Sequence, residues 1–311
     1  DRLQNLSDKK SALLRHLLKQ VAYCAILLSY IVAISKRRTR AESPSPKMTE
    51  LIYLDNRAIG VFDSGLGGLT AVRELRRALP QESLVYFGDT GRVPYGTRSA
   101  ETIFKYAKQD IRFLLSLNVK CIVVACGTVS SAALPRLGDI GLPVIGVIEP
   151  AVEAAKAATK NGRIGVVGTP ATIRSGAYER GLSDYAVASN ACPLLVPLVE
   201  DGRNTHRITE MLVDEYLTPL LETGIDTLIM GCTHYPLIAP LIAARCGEGV
   251  TLIDPGAETV RRLQALISPC DGQGRERYFV SDSTEQFARL AGAFLGGPAP
   301  ADVTQIPIEE Y

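Results

Sequence analysis

Several common signals are missing from these 311 residues, and each absence removes a class of function. An excess of one charge is missing first. There are 34 Lys and Arg against 33 Asp and Glu, which leaves no electrostatic footprint for nucleic acid. No low-complexity tract or nucleic-acid motif occurs. The seven cysteines, at 24, 121, 126, 192, 232, 246 and 270, contain no C-x-x-C pair. Their odd number and scattered strand-end positions do not suit a disulfide framework. Cys232 and His234 lack the usual zinc spacing and no second ligand pair follows them, so no metal is expected. Reduced thiols imply a cytoplasmic protein. The glycine-rich turn at 63–68 matches neither G-x-G-x-x-G nor G-x-x-x-x-G-K-[ST], which argues against a nucleotide. No lysine stands at a strand end to form a pyridoxal Schiff base, so no cofactor is expected.

Residues 1–47 differ in composition from the rest. The apolar stretch 21–34 has 14 residues, short of the roughly 20 needed to span a bilayer. It lies between Lys9, Lys10, Arg15 and Lys19 and the basic cluster Lys36-Arg37-Arg38, where a signal peptide would carry a small-residue cleavage site. The expectation is an N-terminal extension outside the fold, ahead of Met48, with no membrane association for the folded core.

What is present from Ala58 onward is a β/α rhythm. Short Val/Ile/Leu runs at 58–62, 83–88, 121–125 and 143–148 alternate with helical patterns. The same rhythm resumes with strands at 163–168, near 193–198, at 227–231 and at 250–254. Apolar runs bounded by turn residues read as buried parallel strands. Their alternation with helices predicts an α/β fold with parallel sheets covered on both faces. Ser99, with Glu101 in the following turn, is the expected N-cap of a helix reaching Leu117.

Landmarks repeat. Ile59-Gly60-Val61 is followed 105 residues later by Ile164-Gly165-Val166, and Cys126 is followed 106 residues later by Cys232. The offsets predict two similar lobes with a cleft between them. The first comprises 48–149 plus 255–297, the second 150–254, and 298–311 is expected to be a loose tail.

Cys126 and Cys232 each end an apolar run, and ligands in open α/β sheets bind at the carboxyl ends of strands. A lone strand-end Cys is usually a small buried hydrophobe. Two, followed by Gly127-Thr128 and by Thr233-His234, invite chemistry. A cysteine hydrolase would need one thiol, one His and an oxyanion hole, leaving the second thiol unexplained. Opposed thiols suit proton removal from carbon on one face and return on the other, which inverts a stereocentre. In the turn at 63–68, Ser64 and backbone N–H groups suit a small anion such as a substrate carboxylate.

The chain resembles the glutamate racemases of the aspartate/glutamate racemase superfamily over about 58–295. The resemblance rests on Phe62-Asp63-Ser64-Gly65-Leu66-Gly67-Gly68, Gly88-Asp89-Thr90, Pro94-Tyr95-Gly96, Val124-Ala125-Cys126, Val147-Ile148-Glu149-Pro150, Val199-Glu200-Asp201-Gly202 and Gly231-Cys232-Thr233-His234-Tyr235-Pro236. It implies a cofactor-independent interconversion of L- and D-glutamate that supplies D-glutamate for bacterial peptidoglycan. It also implies a small-molecule substrate and allows a homodimer. By the same resemblance Cys126 and Cys232 are the two bases. Asp63 assists the first, while His234 and Glu200 assist the second. Asp63, Ser64, Pro94, Tyr95, Gly96, Gly127, Thr128, Thr233 and His234 line the substrate site.

One position departs from the pattern: the family usually carries Asn after the first Cys, and here Gly127 stands there. A lost hydrogen bond to a buried charged group costs about 1–3 kcal/mol. The expected effect is on affinity, with water or Thr128 replacing the contact. Two alternatives remain at this stage. One is a racemase for aspartate or another acidic amino acid. The other is a non-catalytic member of the fold that binds an amino acid or a protein.

Overall fold

The computed structural model describes residues 54–268 and 270–311, so the expected extension at 1–47 lies outside the described residues. Two parallel sheets form the framework. In the first lobe, β1 (Ile59–Asp63), β2 (Leu84–Gly88), β3 (Cys121–Val124) and β4 (Val144–Gly146) are linked through α1 (Leu69–Ala78), α2 (Ala100–Ser116) and α3 (Gly127–Ala132). Strands β1, β2 and β3 are buried along their whole length, as strands covered on both faces must be. Helix α1 turns Leu69, Val72 and Leu75 toward the core and places Arg76 and Arg77 in its last turn, where the helix dipole favours cations. Ser99 caps α2 by accepting from the Thr102 N–H at 3.2 Å, with Glu101 in the first turn.

After α4 (Ile148–Ala158), the second lobe runs β5 (Arg163–Gly168), α5 (Pro170–Arg174), α6 (Ala177–Gly181), β6 (Ala186–Ala191) and α7 (Leu195–Glu200). It continues with α8 (Arg207–Leu221), β7 (Thr227–Gly231), α9 (Ala239–Cys246) and β8 (Thr251–Ile253). The chain then passes through α10 (Pro255–Gln264) to β9 (Glu276–Val280), α11 (Thr284–Leu295) and β10 (Val303–Gln305). The strand orders are β10-β9-β2-β1-β3-β4 and β6-β5-β7-β8, and every pair is parallel. The second order repeats the four-strand core β2-β1-β3-β4 of the first, so β1 matches β5 and β3 matches β7. In each sheet the chain reverses its direction of travel across the sheet beside the first strand. Cys126 and Cys232 follow the strands at those switch points, where a crevice opens outside the carboxyl ends.

Three sequence expectations differ from the structure. The apolar stretch near 193–198 is helical from 195, and the strand lies earlier, at β6. A short apolar run does not separate strand from helix by periodicity alone. Pro193 and Pro197 lack the N–H a ladder needs, and β6 carries no apolar run because its residues are exposed or half-buried. The single helix expected over 170–182 is divided at Gly176, whose φ of 62° is left-handed and ends the first segment. The stretch 298–311 is no loose tail: β10 pairs with β9, and Ile308 is fully buried. Polar spacing hid that anchor, since Ile308 follows Pro307 and precedes two glutamates.

Among the described residues no helix is long and apolar enough to cross a membrane. No group of three or more His, Cys, Asp or Glu among them could hold a metal ion.

Candidate active site

A cavity of about 400 Å³ lies where the carboxyl ends of the two sheets meet. The first lobe contributes Ser64 after β1, Pro94, Tyr95 and Gly96 from the loop after β2, and Cys126, Gly127 and Thr128 at the turn from β3 into α3. From the second lobe come Thr169, Glu200, Gly231, Cys232, Thr233 and His234. All the predicted site residues except Asp63 therefore line one space. Asp63 is 1% exposed and is not part of the wall.

The half around Cys126 is buried. The thiol, 5% exposed, donates to Ser64 Oγ at 3.4 Å. Burial pushes it up to about 12, and the charge of Asp63 adds to this. Hydrogen bonds from the Ser64 side chain and from the Val129 and Ser64 backbone act in the opposite sense. Asp63 itself is raised by burial, against the pull of His234 and the Gly68 and Gly65 backbone. Its Oδ2 accepts from the Gly65 N–H at 3.0 Å, and its Oδ1 accepts from the Thr233 hydroxyl at 3.5 Å. Asp63 thus acts on Cys126 through charge, while the hydrogen bond to that thiol belongs to Ser64.

The half around Cys232 has an imidazole. His234 Nδ1 is 3.8 Å from Cys232 Sγ, and Nε2 is 2.9 Å from Glu200 Oε1. Burial alone would lower the imidazolium. Its hydrogen bonds with Cys232 and Glu200 outweigh burial and hold His234 up at about 10. A doubly protonated ring donates to both neighbours at once. Helix α7, the element misread as a strand, delivers Glu200 at its last position, with Val196 and Pro197 on the wall.

Hydroxyls bridge the lobes. Thr128 and Thr169 lie 3.0 Å apart across the cleft, and Thr169 lies 3.0 Å from Thr172. Thr70 of α1 donates to the Thr233 carbonyl at 3.0 Å. The loop carrying Pro94, Tyr95 and Gly96 is held from behind. Tyr95 donates its hydroxyl to Asp89, and a second contact reaches Asp110 at 3.2 Å. Arg92 bonds Asp89 at 2.7 Å and Asp110 at 3.0 Å, and Ser281 donates to Asp89 at 2.7 Å. Burial and the neighbouring Asp89 push Asp110 well above the carboxylate range.

Sequence reasoning missed Thr169 and Cys192, both on the wall. The repeat contained the signal for the first: Thr169 stands 105 residues after Ser64, at the equivalent strand end. Cys192 follows the half-buried edge strand β6, so no apolar run pointed to it. All six described cysteines are free. At Gly127 a Cβ would lie 2.7 Å from the Gly231 carbonyl oxygen, so the asparagine usual in the resembled family would not fit this arrangement of the backbone.

The sequence model of the Asp/Glu/Hydantoin racemase family matches residues 64–263. A glutamate racemase of Geobacter metallireducens is 46% identical over 264 residues, covering 81% of this chain and 97% of that protein. A glutamate racemase isoform from Bacillus anthracis superimposes with a TM-score of 0.77 at 39% identity, covering 81% of this chain and 98% of the other. A Francisella tularensis glutamate racemase solved in complex with D-glutamate gives a TM-score of 0.76 at 37% identity, covering 83% and 100% of the two chains.

Proposed function

The chain belongs to the Asp/Glu/hydantoin racemase family, and we propose that it interconverts L- and D-glutamate, with Cys126 and Cys232 as the two proton-transfer groups. The observation that carries this reading is the pair of thiols from equivalent strand ends on the wall of one cavity of about 400 Å³. A family member with these residues needs no cofactor and feeds D-glutamate to peptidoglycan. Its free thiols suit the cytoplasm.

In one direction the Cys232 thiolate takes the substrate Cα proton. The C–H bond breaks, an S–H bond forms, and the electron pair stays on the carbanionic carbon. The Cys126 thiol then delivers its proton to the opposite face. Its S–H bond breaks, the new C–H bond forms, and Cys126 is left as thiolate. The reverse direction runs the same steps from Cys126. His234, held protonated by Cys232 and Glu200, donates toward the thiolate of Cys232, and Ser64 does so toward that of Cys126. The carbanion is the difficult species, and preorganised donors in a dry site stabilise it. The hydroxyls of Ser64, Thr128, Thr169 and Thr233 are the donors available to the substrate's carboxylates.

Proton NMR of L- and D-glutamate in D₂O, with wild-type, Cys126→Ser and Cys232→Ser protein, tests the assignment. The expected result is loss of the Cα–H signal with appearance of the other enantiomer, blocked by either substitution. Turnover of aspartate alone would move the substrate to the shorter acid. Inversion that survives either substitution would defeat the two-thiol mechanism.

A further inference from the structure

Gly127 has no local reason to be glycine. It is not among the described glycines with positive φ, and it opens α3, where alanine is the better helix former. The reason lies across the cleft. A Cβ at Gly127 would stand 2.7 Å from the carbonyl oxygen of Gly231, closer than real Cβ contacts come. Gly127 directly follows Cys126, and Gly231 directly precedes Cys232. Bare backbone from one lobe therefore presses on bare backbone from the other, one residue from each thiol.

Two other glycines of the first lobe meet the second lobe, and they differ in kind. Gly67 faces the Thr233 and His234 side chains, and a Cβ at Gly96 would lie 3.0 Å from Thr169 Cβ. Side chains can turn away, whereas the Gly231 carbonyl is main chain, at a residue whose position is set by the pairing of β7 with β5.

We propose that Gly127 is a positioning residue for racemisation: its backbone contact with Gly231 sets the separation of the Cys126 and Cys232 thiols. The inference rests on the two-thiol reading given above. Both sulfurs must reach one substrate carbon from opposite faces, so cleft width governs delivery of the second proton as well as removal of the first. Any side chain at 127 wedges the strand ends apart to restore ordinary contact distance. The departure from the usual asparagine is then a change in cleft width as well as the loss of a polar contact.

Gly127→Ala and Gly127→Asn test this. Displacing a reacting group lowers kcat, here by roughly tenfold or more in both directions for both variants, with KM little changed in Gly127→Ala. The ratio of Cα deuterium exchange to inversion should rise, because proton removal by one thiol survives a wider cleft better than delivery from the other. Crystal structures of the variants should show the two sulfurs farther apart than in the wild type. Wild-type kcat, a change confined to KM, parallel loss of exchange and inversion, or an unchanged sulfur separation would each overturn the proposal. If Gly127→Ala does not fold, Gly96→Ala wedges the same cleft against Thr169, and the same rise in ratio is expected at smaller size. An unaltered ratio there overturns the control of proton delivery by cleft width. Wild-type protein whose inversion needs neither thiol would sink the two-thiol reading itself. Active wild type with indifferent variants sinks only the role of Gly127.

Discussion

Cys126 and Cys232 end matching strands of sheets with the same core order, yet the groups around them differ. Behind Cys126 are a hydroxyl and a buried carboxylate, and burial with the Asp63 charge holds the thiol up at about 12. Beside Cys232 stands an imidazole held up at about 10 through Cys232 and Glu200, with the Glu200 side chain 39% exposed. Repetition of the fold has therefore not imposed repetition of the charge. On the two-thiol reading, this difference predicts unequal rates for the two directions of inversion.

The largest effect expected is from removing either sulfur. Cys126→Ala and Cys232→Ala should each lower the inversion rate by about 10²–10⁴-fold, the usual range for a lost acid–base group, read by polarimetry. A variant that retained inversion would break the pairing of the halves. Glu200→Gln should come next. With the carboxylate charge gone, His234 drops from about 10 toward its ordinary value, and kcat measured across pH should fall earlier on the alkaline side. The loss at pH 8 should be about tenfold.

The same ring links pH to stability. The folded-state value is raised, so its stabilisation is fully present below about 6.5 and is lost as pH rises toward 10. Urea unfolding of the wild type should show that decline, and the decline should end at lower pH in Glu200→Gln.

Asp63→Asn has a smaller expected effect on the opposite half. Loss of the carboxylate charge lets the Cys126 thiol fall, so alkylation of Cys126 at pH 8 should become a few-fold faster. The least effect on turnover is expected from Ile308→Ala, which sharpens the contrast between the six-stranded and four-stranded sheets. It should cost about 2–5 kcal/mol of stability in denaturant while kcat stays at the wild-type level.

The thiols were legible because parallel strands buried on both faces are written as uninterrupted apolar runs, and those runs stop at Cys126 and Cys232. The repeat showed the two-lobed plan through Ile59 and Ile164 for the same reason. Edge elements were less readable. Strand β6 is half-buried and carries little apolar signal, whereas the neighbouring apolar helix α7 has the composition of a strand. Strand β10 is short, and Ile308 is a single apolar anchor among polar residues. The roles of His234 and Glu200 came from the resemblance, since only the folded chain brings them 2.9 Å apart. The contact at Gly127 has no linear signature, because its partner lies 104 residues away in the other lobe.

Tyr95 contributes to the cavity wall while its hydroxyl is turned inward to Asp89 and Asp110. With the hydroxyl committed there, Tyr95 has no phenolic proton to offer a substrate, and its side chain serves to anchor the loop. Lifting the loop would also strip the Tyr95 donor from two fully buried carboxylates and disturb Arg92 beside them. That penalty makes the loop a fixed jamb of the cleft's doorway.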